Sequence, residues 1–121
     1  MKTITINIPV PPRELRPNAS SPGAWWRKTR MTKIYRKTVA IIAMAGPRPK
    51  LKEAEILFTL RLGKGCKQQD PDNVLASLQA AVDGLVDAGV LAGDRQIRYA
   101  PVEQVRDEKN PGVTVEVSHA K

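Results

Sequence analysis

The segment from residue 53 to residue 89 constrains the fold of this chain more than any other. Residues 53–62 alternate apolar and polar side chains, which is typical of a strand with one buried face. A basic loop at residues 63–69 follows, and then Asp70 and Pro71 are favoured as the N-cap and first residue of a helix that Gly89 ends. The predicted buried stripe of this helix is Val74, Leu75, Leu78, Ala81, Val82, Leu85 and Val86.

The rest of the chain predicts three further strands and one further helix. The strands are expected at residues 3–10, 96–105 and 113–118, the helix at residues 31–45, and a long irregular loop at residues 13–29. In the first helix, the expected buried stripe is Ile34, Ile41 and Ile42, with Thr38 or Val39 between them, and Thr29 or Thr32 is the expected N-cap. A turn at residues 107–112 predicts that the last two strands form a hairpin.

The predicted fold class is α+β, with a small mixed sheet of about four strands and two covering helices in the order βαβαββ. The 121 residues are enough for one hydrophobic core and too few for two, so residues 1–121 are expected to form a single domain.

The charge of the chain predicts a polyanionic partner. Twenty Lys and Arg residues against twelve acids give a formal net charge of +8, for which nucleic acid is the commonest partner and a membrane surface the rival. No apolar run is long enough to span a bilayer, and the N-terminus predicts a strand rather than a signal peptide. Cys66 is the only cysteine, so no disulfide forms within the chain, and a reducing cytoplasm is the expected location.

Against this cationic background, five of the twelve carboxylates lie between residues 70 and 94. Carboxylates repel phosphate unless a divalent cation lies between them, and Mg²⁺ prefers such oxygen ligands. The pattern therefore indicates a metal-dependent nuclease with Asp70, Asp72 and Asp94 as its candidate acids. A structural interpretation stays open for each, because Asp70 suits a helix cap, Asp72 suits the first turn of a helix, and Asp94 suits a turn.

Helical spacing adds neighbours to this candidate site. On a continuous helix, residues 72, 79 and 83 fall close to one line, so Gln79 and Asp83 are expected on the side of Asp72, and Asn73 is adjacent to it. Asp83 either extends the acidic site or faces solvent. His119, near the C-terminus, is expected to be a tail residue rather than the general base.

These residues resemble the RusA family of Holliday junction resolvases, and the similarity covers nearly the whole chain. An Asp-x-Asp-Asn sequence, an aliphatic helix and a second acidic segment carry the central part, and an early Arg-Pro-Asn and two aromatic-Arg pairs resemble phage-encoded members. The matching residues are Asp70-Pro71-Asp72-Asn73, Val86-Asp87-Ala88-Gly89-Val90-Leu91, Asp94-Arg95-Gln96-Ile97, Arg16-Pro17-Asn18, Trp26-Arg27 and Tyr35-Arg36.

The resemblance implies a homodimeric, Mg²⁺-dependent endonuclease that cuts four-way DNA junctions by paired symmetric nicks in recombination and repair. It implies that Asp70, Asp72 and Asp94 hold the metal. It also implies a catalytic lysine on the second helix, where this chain has Gln79, with Lys64 or Lys67 as a possible substitute. The alternative is a DNA-binding protein of the same fold with weak or absent catalysis.

A cationic surface is the expected nucleic-acid contact. Its candidate residues are Arg16, Arg27, Lys28, Arg30, Lys33, Lys64 and Lys67. The alternative is a solvated helix face, which is what charge runs commonly form. Trp25 and Trp26 beside this run either stack on unpaired bases or anchor the long loop to the core or to a second copy.

Overall fold

The computed structural model describes residues 3–15, 24–93 and 96–119. It confirms the α+β class, with five strands rather than about four and with the second helix divided in two. The elements are β1 (Ile4–Ile8), a 3-10 helix (Arg13–Leu15), α1 (Ala24–Met44), β2 (Ala54–Leu62), α2 (Pro71–Ser77), α3 (Gln79–Ala88), β3 (Ile97–Tyr99), β4 (Glu103–Arg106) and β5 (Gly112–His119). Within the described segments, no helix is both long and apolar enough to cross a membrane.

The sheet has the order β1-β5-β2, and β3 and β4 both pair with the remaining side of β2. β5 is antiparallel to β1 and to β2, whereas β3 and β4 are parallel to β2, so β1 and β2 point the same way. The alternation predicted for β2 is confirmed, since every second residue from Ala54 to Leu62 is buried. The opposite face of β2 is exposed or half-buried.

The predicted C-terminal hairpin is wrong. β4 and β5 lie on opposite sides of β2, so residues 107–111 cross the end of β2 instead of joining neighbouring strands. The Asp107 N–H donates to the Leu62 carbonyl at 3.0 Å, and the Arg61 guanidinium donates to the Asn110 carbonyl at 2.9 Å, which holds the crossing in place. The predicted strand at residues 96–105 is also divided, because β3 ends at Tyr99, two residues before Pro101.

The first helix begins seven residues earlier than predicted. Residues 24–29, expected in a loop, belong to α1, and the rest of that loop after Leu15 lies outside the described residues. Thr29 and Thr32 do not cap the helix, because their hydroxyls donate to the carbonyls of Trp25 at 2.9 Å and Lys28 at 2.6 Å. Such bonds satisfy the hydroxyls within the helix itself.

The predicted buried stripe of α1 is confirmed at Val39 and Ile42 but wrong at Ile34 and Ile41. Ile34 and Ile41 are 47% and 59% exposed, and only Ile42 of the three isoleucines packs against the core. The buried residues are Tyr35, Val39, Ala40 and Ala43. The Tyr35 hydroxyl donates to the Pro9 carbonyl at 2.7 Å, and burial raises the pKa of Tyr35, so the hydroxyl remains a donor.

The core-facing residues of α1 next to α3 are small because the two helices approach closely at Gly84. A Cβ atom at this position would lie 2.6 Å from the Arg36 carbonyl oxygen and 3.0 Å from the Val39 Cβ atom. Only glycine fits there without moving one helix away from the other.

We therefore expect Gly84→Ala to destabilise the domain by about 1–2 kcal/mol. Overpacking costs about 1–3 kcal/mol, which exceeds the gain of at most about 1 kcal/mol from the better helix propensity of alanine. Urea unfolding of the two proteins measures the difference. Gly93→Ala is the control, because a Cβ there meets no atom within 4 Å. Equal stability of Gly84→Ala and the parent would contradict the close contact.

Candidate functional site

The acidic pair at the start of α2 is arranged as a helix cap. Asp70 has the extended backbone of an N-cap (φ −60°, ψ 124°), and its Oδ1 accepts a hydrogen bond from the Asp72 N–H at 2.9 Å. Pro71 occupies the first helical turn, as predicted. Capping uses one carboxylate oxygen of Asp70, and the Asp72 carboxylate is exposed in the same turn. The cap therefore leaves acceptor oxygens of both residues for a hard cation.

The loop before this pair is anchored by β4. The Gln104 side chain accepts from the Gln69 N–H at 2.8 Å and donates to the Gln69 carbonyl at 2.7 Å. The Arg106 guanidinium donates to the Gly63 carbonyl at 2.7 Å. Neither anchor could be predicted from the sequence, because a polar residue in a short strand carries no sign of a partner 35 or 43 positions away. Between the anchors, Lys64 and Lys67 are exposed beside Asp70 in the chain.

Gln104→Leu is expected to lower the free energy of unfolding by about 1–3 kcal/mol, because it leaves two part-buried backbone groups of Gln69 without partners. Hydrogen exchange at the Gln69 amide should accelerate in parallel. Glu103→Gln, an exposed change on the adjacent residue, serves as the control. Unchanged exchange at Gln69 in the leucine variant would show that the amide pair does not hold this loop.

The acidic pair and the basic start of α1 occupy the same end of the sheet. Ile8 and Leu60 both pair with Val113, so the carboxyl ends of β1 and β2 lie at one level. α1 follows β1 at this end, where the Tyr35 hydroxyl bonds to the Pro9 carbonyl. α2 follows β2, and the loop before α2 is bound through Gln69 to Gln104, which pairs with Leu60. The carboxyl ends of parallel strands are where open sheets commonly bind ligands. Of the predicted cationic residues, the structure places Arg27, Lys28, Arg30, Lys33, Lys64 and Lys67 on the exposed surface, and Arg16 lies outside the described residues.

The third predicted metal ligand, Asp94, also lies outside the described residues. Its neighbours are held at the other end of β2: the Ala92 N–H donates to the Leu51 carbonyl at 2.8 Å, and the Gln96 carbonyl accepts from the Ala54 N–H at 3.0 Å. Positions 54 and 60 of β2 are six residues apart, which is about 20 Å of strand. Within the part of the chain that the structure describes, no group of three acidic, His or Cys residues could hold a metal ion.

The predicted alignment of residues 72, 79 and 83 does not apply, because the helix is broken at Leu78. This residue has φ −99° and ψ 4°, and its N–H bonds to the Leu75 carbonyl at 3.1 Å. Gln79 is exposed as the first residue of α3, Asp83 is half-buried in the middle of α3, and Asn73 is half-buried beside Asp72. A role for these three at a metal stays a prediction.

An ion pair joins α1 to α3 near Asp83. The Arg36 guanidinium donates to both carboxylate oxygens of Asp87, with distances of 2.6 Å and 2.8 Å. The hydrogen bond to Asp87 raises the pKa of Arg36, and the negative charge of Asp83 also raises it. The same bond lowers the pKa of Asp87. Asp87, one of the acids of the 70–94 cluster, therefore serves the contact between the helices.

His119 is the last residue of β5 and pairs with Ala54, so its interpretation as a tail residue is wrong. That position is at the end of β2 away from Asp70. Trp25 and Trp26 are 75% and 50% exposed, so neither is buried against the described core. Cys66 is an exposed free thiol in the anchored loop.

Comparison with known proteins gives no family. No family model matches the chain. No curated protein matches it either. Among solved structures, hydrogenase maturation protein HypE in complex with ATP is similar over 99% of this chain and 30% of that one, with 16% identity and a TM-score of 0.30. The chain thus spans less than a third of that protein's length, and a likeness this weak carries no functional argument.

Proposed function

We propose that this protein is a Mg²⁺-dependent, structure-specific endonuclease that resolves four-way DNA junctions by paired symmetric nicks in recombination and repair, as the RusA family does. The observation that carries the proposal is the exposed Asp70 and Asp72 pair at the start of α2, beside a cationic loop and at the sheet end from which α1 begins. Asp70 and Asp72 supply oxygen donors, which is the donor type that Mg²⁺ prefers.

The roles of the side chains follow from their charges. Asp70 and Asp72 would hold Mg²⁺, which supplies an activated water and neutralises charge on the scissile phosphate. Lys64 and Lys67, in the adjacent loop, would stabilise the negative charge that develops on the phosphate. The cations of α1 contact the phosphates that flank the cut and fix the position of the DNA. The exposed Cys66 thiol suits a reducing compartment, and we propose a cytoplasmic location on that ground.

The positions of the residues that flank Asp94 make a dimer part of the proposal. Its neighbours lie about 20 Å of strand away from the level of Asp70 in the same chain. We infer that a site using all three aspartates, as the family resemblance implies, would take Asp94 from a second copy. A two-fold dimer forms two such sites, which matches two nicks related by the symmetry of a four-way junction.

Incubation with a four-way junction and with linear duplex, each with and without Mg²⁺, tests the proposal. Paired nicks that appear only with the junction and Mg²⁺ would support it. Equal cleavage of linear duplex would refute junction specificity. Junction binding without cleavage would favour the alternative, a DNA-binding protein in which neutral Gln79 replaces the family lysine.

Junction affinity should also fall steeply with salt, because a cationic protein binds DNA largely by releasing counterions. Replacing Arg27, Lys28 and Arg30 by Ala should reduce the slope of log K against log salt by about three. Arg98→Ala, an exposed charge on the opposite face of the sheet, is the control and should leave the slope unchanged. An unchanged slope in the triple variant would mean that this run is a solvated helix face.

A further inference from the structure

The first turns of α1 project beyond the core of the domain. Residues 25–30 are all exposed, whereas the next residue, Met31, is half-buried and packs against the core, and Tyr35 is buried. The Tyr35 hydroxyl bonds to the Pro9 carbonyl at the carboxyl end of β1, so the preceding residues extend past that end of the sheet. Trp25 lies six residues before Met31, which is about 9 Å of helix. We call residues 25–30 the arm.

The arm exposes the two tryptophans of the chain. Trp25 is 75% exposed and Trp26 is 50% exposed, although the indole ring is among the largest apolar surfaces that a side chain can bury. Adjacent residues on a helix point about 100° apart, so the two rings present separate faces. The guanidinium carbon of Arg27 lies 5.9 Å from the centroid of the Trp26 ring. An occupant that offers both planar rings and negative charge would match this exposed aromatic and cationic surface.

The charge of α1 indicates whether a second copy of the chain or a nucleic acid occupies this surface. The helix contains no acidic residue, and its cations are Arg27, Lys28, Arg30, Lys33, Arg36 and Lys37. Two arms in contact would bring like charges together and desolvate them. Nucleic acid instead offers phosphates to the cations and base faces to the rings, which is the combination used for unpaired strands.

We propose that the arm enters the branch point of the junction, where Trp25 and Trp26 stack on unpaired bases and Arg27, Lys28 and Arg30 contact the flanking phosphates. The inference rests on the proposed function and adds to it the element that recognises the branch. Linear duplex offers the same phosphates but no unstacked base, so the tryptophans contribute to junction affinity alone.

Intrinsic fluorescence tests the inference directly, because Trp25 and Trp26 are the only tryptophans of the chain. In metal-free buffer, the free protein should show the emission of water-exposed indole and strong quenching by acrylamide. A four-way junction with 2-aminopurine at its centre should shift the emission, protect it from acrylamide and change the 2-aminopurine signal. The same base placed at the end of an arm of the DNA should not respond.

Affinity measurements give an independent readout. Trp26→Ala should weaken junction binding by about 5-fold to 100-fold and leave duplex binding unchanged. Trp26→Phe keeps an aromatic ring and should recover part of the loss. An equal loss for junction and duplex would overturn the inference, because the ring would then act through the protein rather than at the branch.

Two results would overturn the inference while the proposed function stands. Indole emission that is already shielded without DNA, and that depends on protein concentration, would show that a second copy covers the arm. Emission that stays exposed on a bound junction would show a solvated arm. Failure of the proposed function is seen separately, as absence of junction binding or cleavage by the unaltered protein.

Discussion

Asp72→Asn is expected to abolish Mg²⁺-dependent cleavage of a four-way junction and to leave junction binding intact or tighter. The substitution removes a carboxylate that we propose as a metal ligand, and with it one negative charge near the bound phosphate. It leaves the helix cap in place, because Asp72 contributes its backbone N–H to the cap. The rate should fall by more than about 100-fold, the upper end of the loss when a residue that only supports a ligand is changed.

The two roles of Asp70 can be separated by two substitutions. Asn caps a helix as well as Asp, so Asp70→Asn should keep the stability and lose cleavage. Asp70→Ala should lose cleavage and also about 1 kcal/mol of stability. Single-turnover cleavage, junction affinity and urea unfolding are the measurements, with Glu103→Gln as the exposed control. Cleavage at the parent rate by Asp72→Asn would remove that residue from the site.

A mixed dimer of one Asp72→Asn chain and one Asp94→Asn chain is expected to regain one working site. If Asp72 of one chain acts with Asp94 of the other, one site of this dimer combines both substitutions and the other has neither. Such dimers, isolated with two different affinity tags, should nick one strand of the junction, whereas each homodimer should cut none. If each chain holds its own site, the mixed dimer is inactive.

The reciprocal dimer provides the control. Pairing the unaltered chain with a chain that carries both Asp72→Asn and Asp94→Asn disables both shared sites but only one self-contained site. The shared arrangement therefore predicts no cleavage, and the self-contained arrangement predicts a single nick. Activity in this dimer combined with inactivity in the first would refute a site built from two chains.

Local interactions made parts of the fold predictable. The predicted alternation of β2 was confirmed, since its side chains point alternately to a buried face and to a more open face over the whole strand. The start of α2 was confirmed because the Asp70 cap involves atoms only two residues apart. Gly89 was confirmed as the end of α3, where its φ of 86° is costly for other residues. In each case the sequence signal lies within a few residues of chain.

Long-range contacts decided what the sequence analysis missed. The isoleucines of α1 have suitable spacing for a buried stripe, but the close approach at Gly84 turns Val39 and Ala40 toward α3. The turn at residues 107–112 has favourable residues for a hairpin, yet β2 lies between β4 and β5. Nothing in the local spacing of residues indicates that a strand from about 50 residues earlier lies between β4 and β5.

The candidate site also has a part that the sequence determined and a part that only the tertiary structure decided. The sequence by itself determined the acidic pair and its cap, because Asp70 and Asp72 share one helical turn. Only the tertiary structure brought Gln104 to the loop before that pair and placed the neighbours of Asp94 at the far end of β2. Those positions depend on which strands pair and in what register, and these are set by burial of the whole sheet rather than by the conformation of any one segment.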